Sequence, residues 1–339
     1  MKEINLKKGK LESLLNSEEN IDLTLSYSRL SDFDRNGPRA LIEKTILENQ
    51  GVKMGSLIDD LLFSPEEFKT KYYISKYNEP TTTLGTLAKI ILENYRELPT
   101  IEEVFSIIEK NSFWKSTKNK ELLQKNFDTE EFWGYIQDTF DRGDKMLITE
   151  NEKLKAYDVM TIILNHEYSK HIFDPNKEHL YQHKFITKIR QFNYRGILDV
   201  ISIDHENKTI TFTDLKTGAG SANEFLSSFI KYRYYLQAGV YCSAFRDICI
   251  KLNLEGYALN PFEFLYIGLK EQIPVRYVVT NKWINASLNG FKTSSGYEYK
   301  GIYELTDDVY FHWKNKIFDL PRNIYENKGV SNIEDNFIS

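Results

Sequence analysis

Cysteine is almost missing from this chain: Cys242 and Cys249 are the two among 339 residues. An iron–sulfur cluster takes about four thiolates, so these two alone cannot hold one. Both fall on one predicted helix and read as ordinary reduced, packing cysteines. Long apolar runs are missing too. No stretch of about 18 apolar residues occurs, and no membrane span is expected. The opening Met-Lys-Glu-Ile-Asn-Leu-Lys-Lys has no apolar signal core, so a cytoplasmic protein is expected. An excess of positive charge is lacking as well: 44 basic residues face 49 acidic ones, a net charge of -5. Polyanion-binding proteins usually carry a basic footprint, so any such footprint here must be local. No Gly-x-x-x-x-Gly-Lys-(Ser/Thr) loop is present, which excludes ATP chemistry of that kind. No Gly-x-Ser-x-Gly elbow supports a serine hydrolase. His166-Glu-Tyr-Ser-Lys-His171 places its second histidine one residue too late for a zincin helix.

What is present is a compact polar pattern in an apolar setting. Asp199 interrupts Gly196-Ile-Leu-Asp-Val-Ile-Ser-Ile203, which reads as a strand. A turn is expected at Asp204–Lys208. Thr209-Ile-Thr-Phe-Thr-Asp-Leu-Lys216 follows, rich in β-branched residues, and reads as a second strand. Side chains alternate faces, so Asp214 and Lys216 share one. Pairing Ile197–Ile203 with Ile210–Lys216 sets Asp199 beside Asp214. Two adjacent buried carboxylates repel and do not ordinarily both ionise. A bound divalent cation permits it, with Lys216 next to any metal-bound water. Gln237 and Tyr241 lie four apart on the following helix and share a face.

Asp199, Asp214, Lys216, Gln237 and Tyr241 together resemble the PD-(D/E)XK nuclease superfamily, in its RecB-type branch with a trailing Gln-x-x-x-Tyr motif. Ser26–Phe33 and Met54–Phe68 resemble the opening of exonuclease VIII (RecE-type) phage recombination exonucleases, and Phe262–Val275 resembles the strand closing that family's core. The resemblance covers roughly residues 22–68 and 180–280. It implies an α/β fold: a restriction-endonuclease-like core, with a mixed central sheet flanked by helices and a mainly helical N-terminal part and insertion. It further implies one nuclease domain over 1–339. Within it, 22–68 would carry Asp59, 80–175 a helical insertion, 180–280 the catalytic core, and 281–339 a helical extension.

The same resemblance implies a Mg²⁺-dependent deoxyribonuclease, with Mn²⁺ as a substitute and neither ATP nor an iron–sulfur cluster. Asp199, Asp214 and the Leu215 carbonyl would hold the metal, and Lys216, Gln237 and Tyr241 would complete the catalytic set. Asp59 stands where the family has a histidine ligand, and Gln182 or His183 where many members have a glutamate. The implied activity is processive 5′→3′ degradation of linear double-stranded DNA from its ends. A ring-like homo-oligomer and a single-strand annealing partner would accompany it. Lys184, Lys188, Arg190 and Arg195 form one candidate nucleic-acid patch, and Lys231 with Arg233 among tyrosines a second. The alternatives are a structure-selective endonuclease in repair or defence, and a DNA-binding module of weak activity on the same fold. Usage rich in Lys, Asn and Ile suits a phage or a low-GC bacterium; a phage-encoded protein would act in the host cytoplasm.

Overall fold

The structure, a computed structural model, describes residues 23–43, 50–117 and 119–329. The opening residues, Lys118 and the acidic tail lie outside the described residues, as does half of a helix expected over Arg39–Glu48. In chain order the main elements begin with α1 (Tyr27–Asn36), α2 (Gln50–Phe63), β1 (Tyr72–Ser75), α3 (Thr82–Asn94) and α4 (Ile101–Lys110). Next come α5 (Glu130–Asp141), β2 (Met146–Thr149), α6 (Glu150–Asn165), β3 (Glu178–Ile189), β4 (Phe192–Asp204) and β5 (Thr209–Gly218). Three helices follow: α7 (Glu224–Lys231), α8 (Tyr234–Ser243) and α9 (Phe245–Leu252). The chain then forms β6 (Phe262–Gly268), β7 (Pro274–Val279), α10 (Asn281–Asn289) and α11 (Ile302–Asn315).

These group into two units, one of residues 1–52 with 163–339 and one of 53–162. Where the sequence suggested an insertion over 80–175, the contacts therefore gather 53–162, which takes in most of α2 and Asp59. This unit is helical around Leu87, Ile91, Val104, Ile108, Phe127, Phe132 and Ile136. Thr100 and Glu103 cap α4 reciprocally, satisfying amides that a helix start leaves open. A parallel pair of strands, β1 with β2, was not anticipated.

The larger unit is built on a mixed sheet of order β3-β4-β5-β6-β7, with the two-residue strand Ala258–Leu259 beside the start of β5. Only β5 with β6 and β5 with Ala258–Leu259 are parallel; the remaining pairs are antiparallel. This is the mixed α/β core expected, with helices α7 to α9 in the crossover that a parallel pair requires. Every residue of β6 is buried, as a central strand covered on both faces should be. Ile201, Ile203, Phe212 and Phe264 form one core with Leu30 and Phe33 of α1, Phe225 of α7, Leu236 of α8 and Ile302 and Val309 of α11.

Two local details differ from expectation. Ser26 caps α1, accepting the Arg29 amide, where Ser28 or Ser31 was expected to open it. The helix expected over 222–247 is three helices: Arg233 adopts a left-handed φ of +60° between α7 and α8, and a second break falls at Ala244 between α8 and α9. Tyr27 and Ser31 of α1 both donate to the Tyr232 carbonyl at that elbow, at 2.7 and 3.0 Å.

Candidate active site

The ladder between β4 and β5 runs from Asp204↔Thr209 to Val200↔Thr213 and stops. Its register is the one expected, but the predicted pairing of 197–199 with 214–216 does not form. Beyond that point β4 stays with β3 as far as Phe192, while β5 stays with β6 as far as Gly218. The two strands part, and the polar residues sit in the fork. Asp199 Oδ2 accepts the Leu215 amide at 2.8 Å, just past the last ladder pair. A strand residue projects its N–H and C=O to the same side, so the Leu215 carbonyl also faces the fork.

The fork coincides with a phase change in the strands. On β4 the core positions are Ile203 and Ile201, then Leu198, Tyr194 and Phe192. On β3 the change falls between Leu180 and Phe185. Gln182 carries a left-handed φ of +51° at this place, the kind of local strain that re-aims side chains beside functional sites. Its Nε2 donates to Asp199 Oδ1 at 3.0 Å. A carboxylate can only accept, so the amide must present its N–H there.

Asp214 is buried, 2% exposed. Gln237 Nε2 donates to its Oδ1 at 2.7 Å, and the Lys216 ammonium contacts its Oδ2. The Lys216 Nζ also lies 5.1 Å from the Tyr234 ring centre and 5.8 Å from that of Phe264. Burial raises the Asp214 pKa, and Lys216 and Gln237 oppose this without cancelling it. Burial works against the Lys216 ammonium, yet Asp214, Tyr234 and Asp199 hold its pKa well above the ordinary lysine value. Gln237 Oε1 is buried and has no hydrogen-bond partner among the described residues. Burial, and then Asp214, raise the pKa of Tyr241 one turn further along α8. Its ring meets Phe185 edge-on at 5.2 Å. Gly196 makes that contact feasible, because a Cβ there would stand 2.4 Å from Phe185 Cζ and 2.9 Å from Tyr241 Cε1.

The larger unit thus assembles Asp199, Asp214, Lys216, Gln237 and Tyr241, with Gln182 beside them. Asp59 lies half-buried on α2 in the other unit, near Tyr72. Arg233 is committed to Asp34 and lies over the Tyr299 ring, so its charge is balanced within the fold. Lys231 is exposed, its Nζ 5.3 Å from the Tyr232 ring centre. Arg190 folds over Tyr303 at the β3–β4 turn. Tyr27, Tyr234 and Phe264 were not picked out from the sequence as site residues. Tyr27 and Ser31 share a helical i, i+4 face of α1, and that spacing was the available signal.

Among the described residues no group of three or more His, Cys, Asp or Glu side chains forms a metal cluster. The donors in the fork are two carboxylates and a carbonyl, all oxygen. Mg²⁺ is commonly held by one or two carboxylates, with water and substrate phosphate filling the remaining positions. The donor set therefore fits a hard divalent cation.

No family model matches this chain, and no curated protein is significantly similar to it. Among solved structures it is similar to a protein described as "Putative exonuclease" from Eubacterium rectale. The two are 11% identical with a TM-score of 0.44, over 100% of this chain and 98% of that one. A likeness at that level is silent on chemistry.

Proposed function

We propose that this chain is a divalent-metal-dependent deoxyribonuclease that degrades linear double-stranded DNA from its ends, in the 5′→3′ direction. The observation that carries the hydrolase reading is the Asp214 carboxylate. It is buried where two strands part, next to Leu215, whose amide Asp199 accepts, and is touched by an ammonium and by an amide with a spare acceptor. End preference and polarity rest on the resemblance of Ser26–Phe33 and Met54–Phe68 to exonuclease VIII-type enzymes. So do a ring-like homo-oligomer and an annealing partner.

Asp199, Asp214 and the Leu215 carbonyl would hold Mg²⁺ or Mn²⁺. When bound, the ion supplies Lewis acidity at the phosphoryl oxygen and lowers the pKa of a bound water. Lys216, whose ammonium form Asp214, Tyr234 and Asp199 favour, offsets negative charge building on the phosphate. Gln237 keeps Asp214 oriented through Nε2, and its free Oε1 can accept a hydrogen bond from the attacking water. Tyr241 remains a neutral phenol that packs α8 against Phe185 and closes the site on that side.

The test is release of acid-soluble nucleotides from end-labelled linear duplex, with a closed circle alongside, in Mg²⁺, Mn²⁺ or EDTA. Metal-dependent loss of the linear DNA alone, absent in Asp214→Ala, is the expected result, and the labelled end gives the polarity. Cutting of the circle would replace the exonuclease with an endonuclease. One observation favours a second reading. Gln182 offers Asp199 a donor where many relatives place a carboxylate, so DNA binding without turnover is the outcome if neither metal supports cleavage.

A further inference from the structure

The 20 residues from His179 to Leu198 contain Lys184, Lys188, Arg190 and Arg195 and no acidic residue, in a chain whose net charge is -5. Past the phase change at Gln182 and Asp199, they form the outer half of the β3–β4 hairpin. One face of that half is buried, through Phe185, Thr187, Ile189, Phe192 and Tyr194. It is anchored by backbone bonds to Leu25, from Leu25 N to Asn193 O at 2.8 Å and from Arg195 N to Leu25 O at 2.9 Å. The Tyr194 hydroxyl adds a bond to Thr306 at 2.6 Å. The opposite face is exposed throughout. The ladder sets Lys184 beside Ile197, Ile186 beside Arg195 and Lys188 beside Asn193. Cations and isoleucines therefore alternate across a rigid ribbon, with Ile186 65% and Ile197 41% exposed.

We propose that this exposed face grips the DNA strand leading to the fork, with its phosphates on Lys184, Lys188 and Arg195 and its bases against Ile186 and Ile197. The proposal rests on the nuclease reading of the fork and adds how the substrate is held. No carboxylate pairs with Lys184, Lys188 or Arg195 among the described residues. Arg29 of α1 adds like charge: burial, and then the neighbouring Arg195, lower its pKa. Cations held together without counter-charge are a site for a polyanion. A single isoleucine on a strand surface needs no explanation, but two set between unpaired cations match the apolar contacts that accompany phosphate binding. Placement agrees. At about 3.3 Å per residue, Ile197 stands roughly 7 Å and Asn193 roughly 20 Å along β4 from Asp199. The strip between them, about 13 Å, spans the axial rise of about four nucleotides of one strand at 3.4 Å each.

The experiment measures binding of the full chain to labelled linear DNA in EDTA, which stops turnover, as a function of salt. Three preparations are compared: the wild type, the triple variant Lys184→Gln/Lys188→Gln/Arg195→Gln, and Ile186→Ala/Ile197→Ala. Each phosphate contact contributes a slope of about 0.7 to 0.9 in log Kd against log salt, so the triple variant should lose about 2 to 3 units. The isoleucine variant should bind several-fold more weakly at every salt concentration with its slope unchanged. All five positions are on the surface, so unchanged melting curves verify folding. A wild type that cleaves DNA, with an unchanged slope in the triple variant, overturns the ribbon alone. Wild-type affinity in the isoleucine variant overturns the base contact. A wild type that neither binds nor cleaves DNA takes the nuclease reading down with it.

Discussion

Asp214 and Glu263 are buried carboxylates on neighbouring parallel strands, 2% and 6% exposed, and their surroundings treat them in opposite ways. Glu263 lies level with Thr213, one residue before Asp214, and so faces the other side of the sheet. Arg276 grips it with two N–H groups, and His171 Nε2 stands 3.5 Å away. Burial works to raise its pKa, but His171 and Arg276 outweigh it and the pKa falls. At Asp214 burial prevails and the pKa rises. A planar guanidinium matches a carboxylate in charge and geometry, which makes Glu263 a finished ion pair. Asp214 is paired with a flexible ammonium and a neutral amide, and in its deeper burial these do not hold its pKa down. The comparison teaches where a cation is wanted. Both carboxylates have a cationic partner from the fold, but Glu263 is held by a matched guanidinium, whereas Asp214 sits where two strands part, beside the Leu215 amide that Asp199 accepts.

The largest effect should come from removing the Asp214 charge. Asp214→Asn keeps the shape of the side chain and should cut DNA hydrolysis by about 10³-fold or more, about 4 kcal/mol of transition-state stabilisation. Added Mg²⁺ or Mn²⁺ should raise the melting temperature of the wild type, since a ligand at 100 times its Kd contributes about 2.7 kcal/mol. Asp214→Asn should lose that rise, and Glu263→Gln should keep it. A rise of equal size in all three proteins would end the distinction between the two carboxylates.

The finished pair should show itself in stability. Arg276→Ala leaves Glu263 buried without its main partner. Arg276 is itself 44% exposed, so the loss is discounted for solvent to about 1–3 kcal/mol. Hydrolysis per folded molecule should stay at the wild-type level. The pH dependence has a definite sign. The folded pKa of Glu263 lies below its ordinary value of 4.5, so its contribution is complete above about pH 4.5 and is lost as pH falls through the folded value. Urea unfolding from pH 7 to pH 3 should show this loss in the wild type and a smaller one in Glu263→Gln.

Much of the fork was legible in the sequence because it depends on period-two patterning. Asp199 in an apolar run and Asp214-Leu-Lys216 on a β-branched strand predict the register that the ladder adopts. The same argument applied to Glu263 within Phe262-Glu-Phe-Leu-Tyr-Ile267 would have marked it as a buried carboxylate in need of a partner. What stayed hidden depends on tertiary geometry. Arg233 has good helix propensity, yet it breaks a helix because Asp34, Tyr27 and Ser31 hold the elbow from α1. The pairing of Tyr72–Ser75 with Met146–Thr149 joins short segments about seventy residues apart, with no turn between them to announce it. The phase change at Gln182 is also silent in sequence, since glutamine has no special preference for a left-handed backbone.

Gln182 offers the finest test, because it is a side-chain donor to Asp199 that can be turned into a second charge. Its amide donates to Asp199, as the Arg276 guanidinium donates to Glu263. Gln182→Glu removes the donor and sets a carboxylate against Asp199, moving that side of the fork further from balance. Without metal the variant should lose about 1–2 kcal/mol, seen as a few degrees in melting temperature. With Mg²⁺ or Mn²⁺ the cation should offset the added repulsion, so the metal-dependent rise should exceed that of the wild type. Gln182→Ala removes the donor without adding charge, and should show the smaller loss with no larger rise. If Gln182→Glu gains no more from metal than Gln182→Ala does, charge balance at the fork does not govern cation binding. The contrast between Asp214 and Glu263 would then describe packing alone.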